Sequence, residues 1–433
     1  AAAGAVLKPQ GGNCAVLPKV SCRCGGRKRG TGKMNFVFIS PHFPENYWNF
    51  CDRLRANGVN VLGIGDAPYE TLPALLKSAL TEYYRVDNME NYDEMLRAMG
   101  FFTFKYGKID WVESNNEYWL EQDARLRTDF NITTGIKSAE IEKFKRKSVM
   151  KTYYQKAGIP TARWCVTADV TEAQAFAKTV GWPVIAKPDN GVGANGTHKF
   201  KNKTELNKFF QQEGPNAANY ILEEFVDGEI VTFDGVADAN AEPIYAASHV
   251  TPDSIMEIAH GKKPMWYYVA PEISPELRKM GEAALKAFGA KSRFFHLEFF
   301  RLKTAKPSLG NAGDILGLEV NMRPAGGYTV DMLNYAGGLD LYQIWADMVA
   351  FGAAHHPLAR YHRYCCCAGR HDELRYRMPH DELLKKYRSC LNAAPRLPEV
   401  LAREMGDQLY IASFEDEAAM QAFRRDALAR PRE

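Results

Sequence analysis

Three stretches of the chain carry residues whose types and spacing suit work on phosphate. In "IAKPDNGVGANGTHKF" (185–200), Lys187 ends an apolar run and is followed by a loop holding Gly191, Gly193 and Gly196. Glycines let backbone N–H groups approach oxyanions closely, and the ammonium supplies opposite charge. Because the lysine precedes the glycines, the Walker order of Gly-Lys-Ser/Thr is excluded. Because "THKFKN" reads as a strand and not a helix, so is the dinucleotide fingerprint. What remains is a strand, a glycine flap over 189–197 and a return strand, which suits a lid over phosphates as well as a plain hairpin turn.

In "DILGLEVNMRPAGG", strand alternation puts Leu318, Val320 and Met322 on one face and Glu319, Asn321 and Arg323 on the other. In "RFFHLEFFRL" the same alternation buries Phe295, Leu297 and Phe299 and presents His296 with Glu298. Two carboxylates and an amide oxygen are hard donors that suit Mg²⁺ (or Mn²⁺) coupled to nucleotide phosphates. The third stretch, "YILEEFVDGEIVTFDG", gives an apolar edge at Val226 bounded by Glu223, Glu224 and Glu229. Such an edge offers backbone groups to a purine and a carboxylate to ribose hydroxyls, although alone it is a strand, a turn and a strand.

These residues need elements to position them. From Met34, strands "NFVFIS" and "VNVLGIG" alternate with helical patterns over "ENYWNFCDRLRANG" and "LPALLKSAL", and the alternation continues through "YDEMLRAMGFFTFKYG", "IDWVES" and "NEYWLEQDARLRTDF". This is the pattern of a parallel α/β unit. Near residue 140 a helix, "EIEKFKRKSVMKTYYQKAG", stopped by Gly158 and Pro160, begins a region of short strands and helices of α+β type. The domains expected are a basic tail at 1–33, an α/β domain at 34–140, a two-lobed α+β domain at 141–351 and a C-terminal α+β segment at 352–433.

Composition narrows the function. Across 433 residues the formal net charge is +3, yet residues 1–33 hold seven Lys/Arg and no acid, so removing those seven leaves a body of −4. A slightly acidic body gives no electrostatic case for nucleic acid or an anionic membrane. No apolar run approaches the length that spans a bilayer. The nine cysteines give no disulfide framework: Cys14, Cys22 and Cys24 lie in the tail, and Cys365, Cys366 and Cys367 are consecutive. Neighbours on a strand point to opposite faces, so those three are poor joint ligands for one metal. Reduced thiols in the cytoplasm are expected, or in an organelle if the tail is a targeting peptide.

From about 147 to 350 the chain resembles the ATP-grasp superfamily, in particular its carboxylate–amine ligases, with biotin carboxylase and D-alanine ligase as more distant relatives. Lys147, placed before "AGIP", matches the first nucleotide lysine; Lys187 in "IAKP" matches the second and precedes the mobile glycine flap. "LEEFVDGE" resembles the adenine hinge. The resemblance implies Glu223 toward the adenine amino group, Glu224 and Val226 contacting through the backbone, and Glu229 toward ribose. It also implies Glu298, Glu319 and Asn321 as magnesium ligands and Arg323 as the arginine that steadies the phosphoryl group or the substrate carboxylate.

The activity so implied is ATP-dependent amide-bond formation of acid–amino acid ligase type. A carboxylate would become an acyl phosphate and an amine would displace phosphate, releasing ADP. An amino acid or short peptide is the expected substrate, and a homodimer is open. A biotin-dependent carboxylase is disfavoured by "RPAGGYTVD" where such relatives carry Arg-x-Gln-Val-Glu-His. A non-catalytic nucleotide-binding module would have lost metal ligands or flap glycines. His249, His260, Lys263, Trp266 and Tyr267 are candidates for further substrate contacts.

Overall fold

Three sheets bring these distant residues together. The structure is a computed structural model and describes residues 33–191, 196–253, 258, 264–359 and 361–431. The first sheet is parallel, in the order β3-β2-β1-β4, from β1 (Asn35–Ile39), β2 (Asn60–Gly65), β3 (Glu82–Arg85) and β4 (Trp111–Glu113). Its central strand is buried on both faces, which is why it reads as unbroken apolar sequence. Phe36 and Phe38 face helices Trp48–Ala56 and Ala74–Ala79, while Val37 and Ile39 face helices Tyr92–Tyr106 and Leu120–Asp129.

The second sheet is small and antiparallel, ordered β5-β8-β6-β7, from β5 (Trp164–Val166), β6 (Val184–Pro188), β7 (His198–Phe200) and β8 (Tyr220–Glu224). Helices Val170–Val180 and Lys203–Glu213 cover it through Ala173, Ala177, Leu206 and Phe209. Both helices open on an acceptor side chain at the N-cap, Asp169 and Asn202.

The third sheet has eight antiparallel strands in the order β13-β12-β9-β10-β11-β14-β16-β15. They are β9 (Gly228–Ala237), β10 (Pro243–Thr251), β11 (Trp266–Ala270), β12 (Arg293–Leu302), β13 (Ile315–Asn321), β14 (Tyr364–Arg370), β15 (Leu391–Ala393) and β16 (Gln408–Phe414). On one face Val231, Phe233, Phe295, Leu297 and Phe299 pack against helices Lys147–Lys156 and Pro275–Phe288. On the other, Val236, Val269 and Phe294 meet Trp345 of helix Leu341–Phe351. The expected alternation along β12 therefore holds.

The C-terminal strands extend this sheet, since β14 pairs with β11 from Trp266↔Ala368 to Val269↔Cys365. Residues Met34–Glu433 form one compact unit. Cys365 and Cys367 enter one apolar cluster and Cys366 another, on opposite faces as strand alternation requires. The six described cysteines are free thiols. Among the described residues no helix is long and apolar enough to cross a membrane.

Candidate active site

The single helix expected over 140–158 is broken. Helices Glu142–Lys145 and Lys147–Lys156 are separated by Arg146, whose backbone is extended (φ −94°, ψ 118°). The break lets Arg146 form a β-bridge with Asn190 and the Lys147 N–H donate to the Asp189 carbonyl (2.9 Å), tying the start of the helix to the base of the flap. Asp189 then caps the helix, accepting from the Ser148 N–H (2.7 Å) and the Ser148 hydroxyl (2.8 Å). At the other end, the Tyr154 hydroxyl donates to the Glu319 carbonyl (3.1 Å). Gly317 permits this contact, because a Cβ there would lie 2.9 Å from the Tyr154 ring. Flap and metal strand are thus fixed to one helix.

That helix buries Lys147, Met150, Lys151 and Tyr154 on one face. Lys147 Nζ donates to the Gly191 carbonyl (3.0 Å) and lies 3.2 Å from Glu319 Oε1. Lys151 Nζ is 2.8 Å from Glu223 Oε1, and Lys187 Nζ is 2.6 Å from Glu223 Oε2. Burial alone would raise the Glu223 carboxyl; the two ammonium groups outweigh it and hold the pKa at about 2. Burial pushes Lys151 down, with Glu223 opposing. For Lys187 the balance goes the other way: Glu223 and Glu319 keep it above its ordinary value despite burial. Three lysines thus gather at the flap, with carboxylates as counter-ions. Both oxygens of Glu223, the residue expected to face the adenine amino group, are engaged by lysines.

Glu298 and Glu319 stand directly opposite across β12 and β13, with Asn321 opposite His296. Facing like charges repel. His296 Nε2 to Glu298 Oε1 (3.0 Å) and Lys147 to Glu319 offset part of this repulsion. A divalent cation between the oxygens would offset more, and the hard oxygen donors fit Mg²⁺ or Mn²⁺. Glu298 is held below the usual carboxylate range, as His296 overcomes the effect of burial.

His296 continues the same sheet face into a buried chain. Its Nδ1 is 2.7 Å from Asp234 Oδ1, and His249 Nδ1 is 2.7 Å from Asp234 Oδ2. Asp234, His249 and His296 bring ligand-type atoms within 4.8 Å of one another. Donors around a tetrahedral ion with bonds of about 2.0–2.1 Å stand roughly 3.3 Å apart, so spacings of 2.7 Å describe hydrogen bonds and not a metal cage. Burial would lower His296, but Asp234 and Glu298 raise it to about 9, so both its nitrogens donate.

At the hinge, Val226 is buried with Ala162, Leu302 and Leu316. The Glu224 N–H donates to the Arg163 carbonyl (2.9 Å). Its carboxylate takes Arg163 Nε (2.7 Å), Lys306 Nζ (2.6 Å) and the Ser308 hydroxyl (2.6 Å). These partners overcome burial and bring Glu224 to about 2. Glu229 faces Arg301 Nη1 (3.0 Å). Arg323 donates to the Pro324 carbonyl (3.0 Å) and lies 3.5 Å from Glu117 of the first domain, which also takes Lys145 (2.9 Å). Gly193, His260 and Lys263 lie outside the described residues, whereas Gly196 takes the left-handed conformation (φ +72°). Trp266 is buried, with its indole N–H on Asp253 (2.7 Å).

The sequence reading misses Lys151, Asp189, Asp234 and Glu117. Lys151 carries a signal in its i,i+4 spacing to Lys147; Asp234 carries none, because its register with His296 exists only in the fold.

Residues 146–289 match the family model "Carbamoyl-phosphate synthase L chain, ATP binding domain". Among curated proteins the chain is similar to the L-arginine-specific L-amino acid ligase of Bacillus subtilis, 22% identical over 275 residues, covering 60% of this chain and 62% of that protein. Among solved structures it resembles an L-amino acid ligase from Bacillus licheniformis (TM-score 0.68, 15% identity, 92% of this chain and 97% of that one). It also resembles the biotin carboxylase domain of the Hydrogenobacter thermophilus 2-oxoglutarate carboxylase, solved with MgADP (TM-score 0.63, 18% identity, 90% and 89%). The chain spans about three fifths of the curated ligase it matches. The chain thus has an ATP-grasp fold, shared with these ligase and carboxylase structures, and its residues 146–289 match an ATP-binding domain family.

Proposed function

We propose that the chain is an ATP-dependent carboxylate–amine ligase working through an acyl phosphate, with an amino acid or short peptide among its substrates. The observation that carries the reading is the convergence of Lys147, Lys187, Glu298, Glu319 and Asn321 beside a glycine flap, through ion pairs with Glu223 and Glu319. Sequence similarity to an amino acid ligase extends over 60% of the chain, against 26% for a 2-oxoglutarate carboxylase subunit, which supports this chemistry over carboxylation.

In this mechanism Lys147 and Lys187 exchange their carboxylate partners for ATP phosphates. Glu223, which keeps lone pairs beyond its two ion pairs, accepts from the adenine amino group, with backbone groups of Glu224 and Val226 alongside. Glu229 reaches ribose by sharing itself with Arg301. Glu298, Glu319 and Asn321 would hold Mg²⁺, which would supply charge stabilisation for the phosphates. Arg323 steadies the substrate carboxylate as it attacks the γ-phosphate, and the flap excludes water that would hydrolyse the acyl phosphate. The six free thiols fit a reducing cytoplasm. Sedimentation distinguishes monomer from homodimer.

The test is to supply ATP, Mg²⁺ and hydroxylamine with each L-amino acid in turn. The reading requires ADP and a hydroxamate with at least one of them. AMP and pyrophosphate as products, or no nucleotide turnover with any amino or carboxylic acid, would sink it.

A further inference from the structure

An amine arriving at neutral pH carries a proton that it must lose before it can attack. We propose that His249 accepts this proton at Nε2, with Asp234 as its positioning partner; the inference rests on the ligase reading above.

Four observations support the assignment. First, the Asp234 carboxylate lies 2.7 Å from His249 Nδ1; as an acceptor it holds the hydrogen on that nitrogen, so Nε2 is the ring atom at which a proton is gained or lost. Second, the backbone N–H of His249 donates to Thr232 Oγ1 (2.9 Å), so the residue is fixed from both ends. Third, Nε2 has no hydrogen-bond partner among the described residues. Fourth, the ring lies over the face that carries the metal carboxylates: Thr232 is in register with Glu298 and Asp234 with His296, and the two imidazoles stack at 5.5 Å.

On its other side His249 meets Tyr267, which links it to the segment that follows Arg323. Tyr267 packs its ring 5.5 Å from His249 and shares a hydrogen bond with Thr329 Oγ1 (3.0 Å), the first residue of helix Thr329–Gly337. His249 therefore stands between the carboxylates that would hold the metal and the segment after Arg323 that would face the acyl group. The titratable and charged groups facing it are Asp234 on β9, His296 on β12 with Glu298 beyond, and Tyr267 on β11.

The ammonium gives one proton to Nε2, and the freed lone pair forms the C–N bond. The C–O bond to phosphate breaks with its electrons on oxygen, and the second excess proton on nitrogen leaves with that phosphate.

The test compares acceptors in the full chain. Hydroxylamine is largely unprotonated at neutral pH and needs no base, whereas α-amines do. The acid is whichever amino acid gives most hydroxamate in the parent; the acceptor is hydroxylamine or a pool of the twenty L-amino acids. His249→Ala should keep most hydroxamate formation while losing about 10²–10⁴ of ligation to α-amines, and the loss should shrink as pH rises toward the amine pKa. His249→Gln, which preserves a hydrogen bond to Asp234, guards against a folding defect and should behave alike. Equal loss with both acceptors, or loss with neither, overturns the role of His249 alone. A parent that forms no hydroxamate overturns the ligase reading and this inference with it.

Discussion

The site is a set of ion pairs waiting for exchange. Lys147 and Lys187 sit on Glu319 and Glu223, and in the proposed mechanism each carboxylate has a second duty, toward the metal or toward the base. Replacing Glu319 by Gln keeps its size and removes the charge that opposes Glu298 across the sheet. The metal would then be held loosely where phosphoryl charge develops, so ADP and hydroxamate formation should fall by about 10² to 10³. Nucleotide affinity should fall far less, because Lys187 and the hinge remain. Titration beside turnover separates the two, and parallel losses would place Glu319 in binding only. The shared face of Glu298, Glu319 and Asn321 was legible because strand alternation needs only period two. The pairings of Asp234 with His296 and of Lys151 with Glu223 were not, because only the fold brings those distant partners close.

At the level of elements, the decisive feature is the break at Arg146, which places Lys147 at a helix start capped from the flap strand. The sequence reads as one helix because the pattern of apolar residues runs through the break unaltered; the competing hydrogen bonds come from Asp189, some forty residues away. Asp189→Ala should cost about 1 kcal/mol through the lost cap. It should also weaken ATP binding by loosening Lys147, although Asp189 is assigned no contact with nucleotide. Denaturant unfolding and nucleotide titration on the same variant check both parts. A stability loss with unchanged affinity would uncouple cap from site. Helix Leu341–Phe351 escaped the reading for a different reason: Leu341 to Val349 are all buried, so no polar stripe marks its period.

Across the whole molecule, the domains read from the sequence are joined by buried charge and by sheet continuity. Glu113, at the end of β4, lies 3.0 Å from Arg127 and 3.3 Å from Arg293, and all three are buried. Arg293 in turn donates to the Met322 carbonyl (2.7 Å), immediately before Arg323. Glu113→Ala would leave two buried guanidinium groups without that carboxylate, an expected loss of about 3–5 kcal/mol in denaturant unfolding. A loss below 1 kcal/mol would show that Asp123 and the carbonyls suffice. Such junctions are invisible in sequence, because Glu113 and Arg293 are 180 residues apart.

The central claim is that a substrate carboxylate oxygen ends on the phosphate released from ATP. With the amino acid that supports hydroxamate formation labelled with ¹⁸O in its carboxylate, the account predicts one ¹⁸O atom in the inorganic phosphate released alongside ADP. Label recovered in AMP, or phosphate carrying no ¹⁸O, would contradict it.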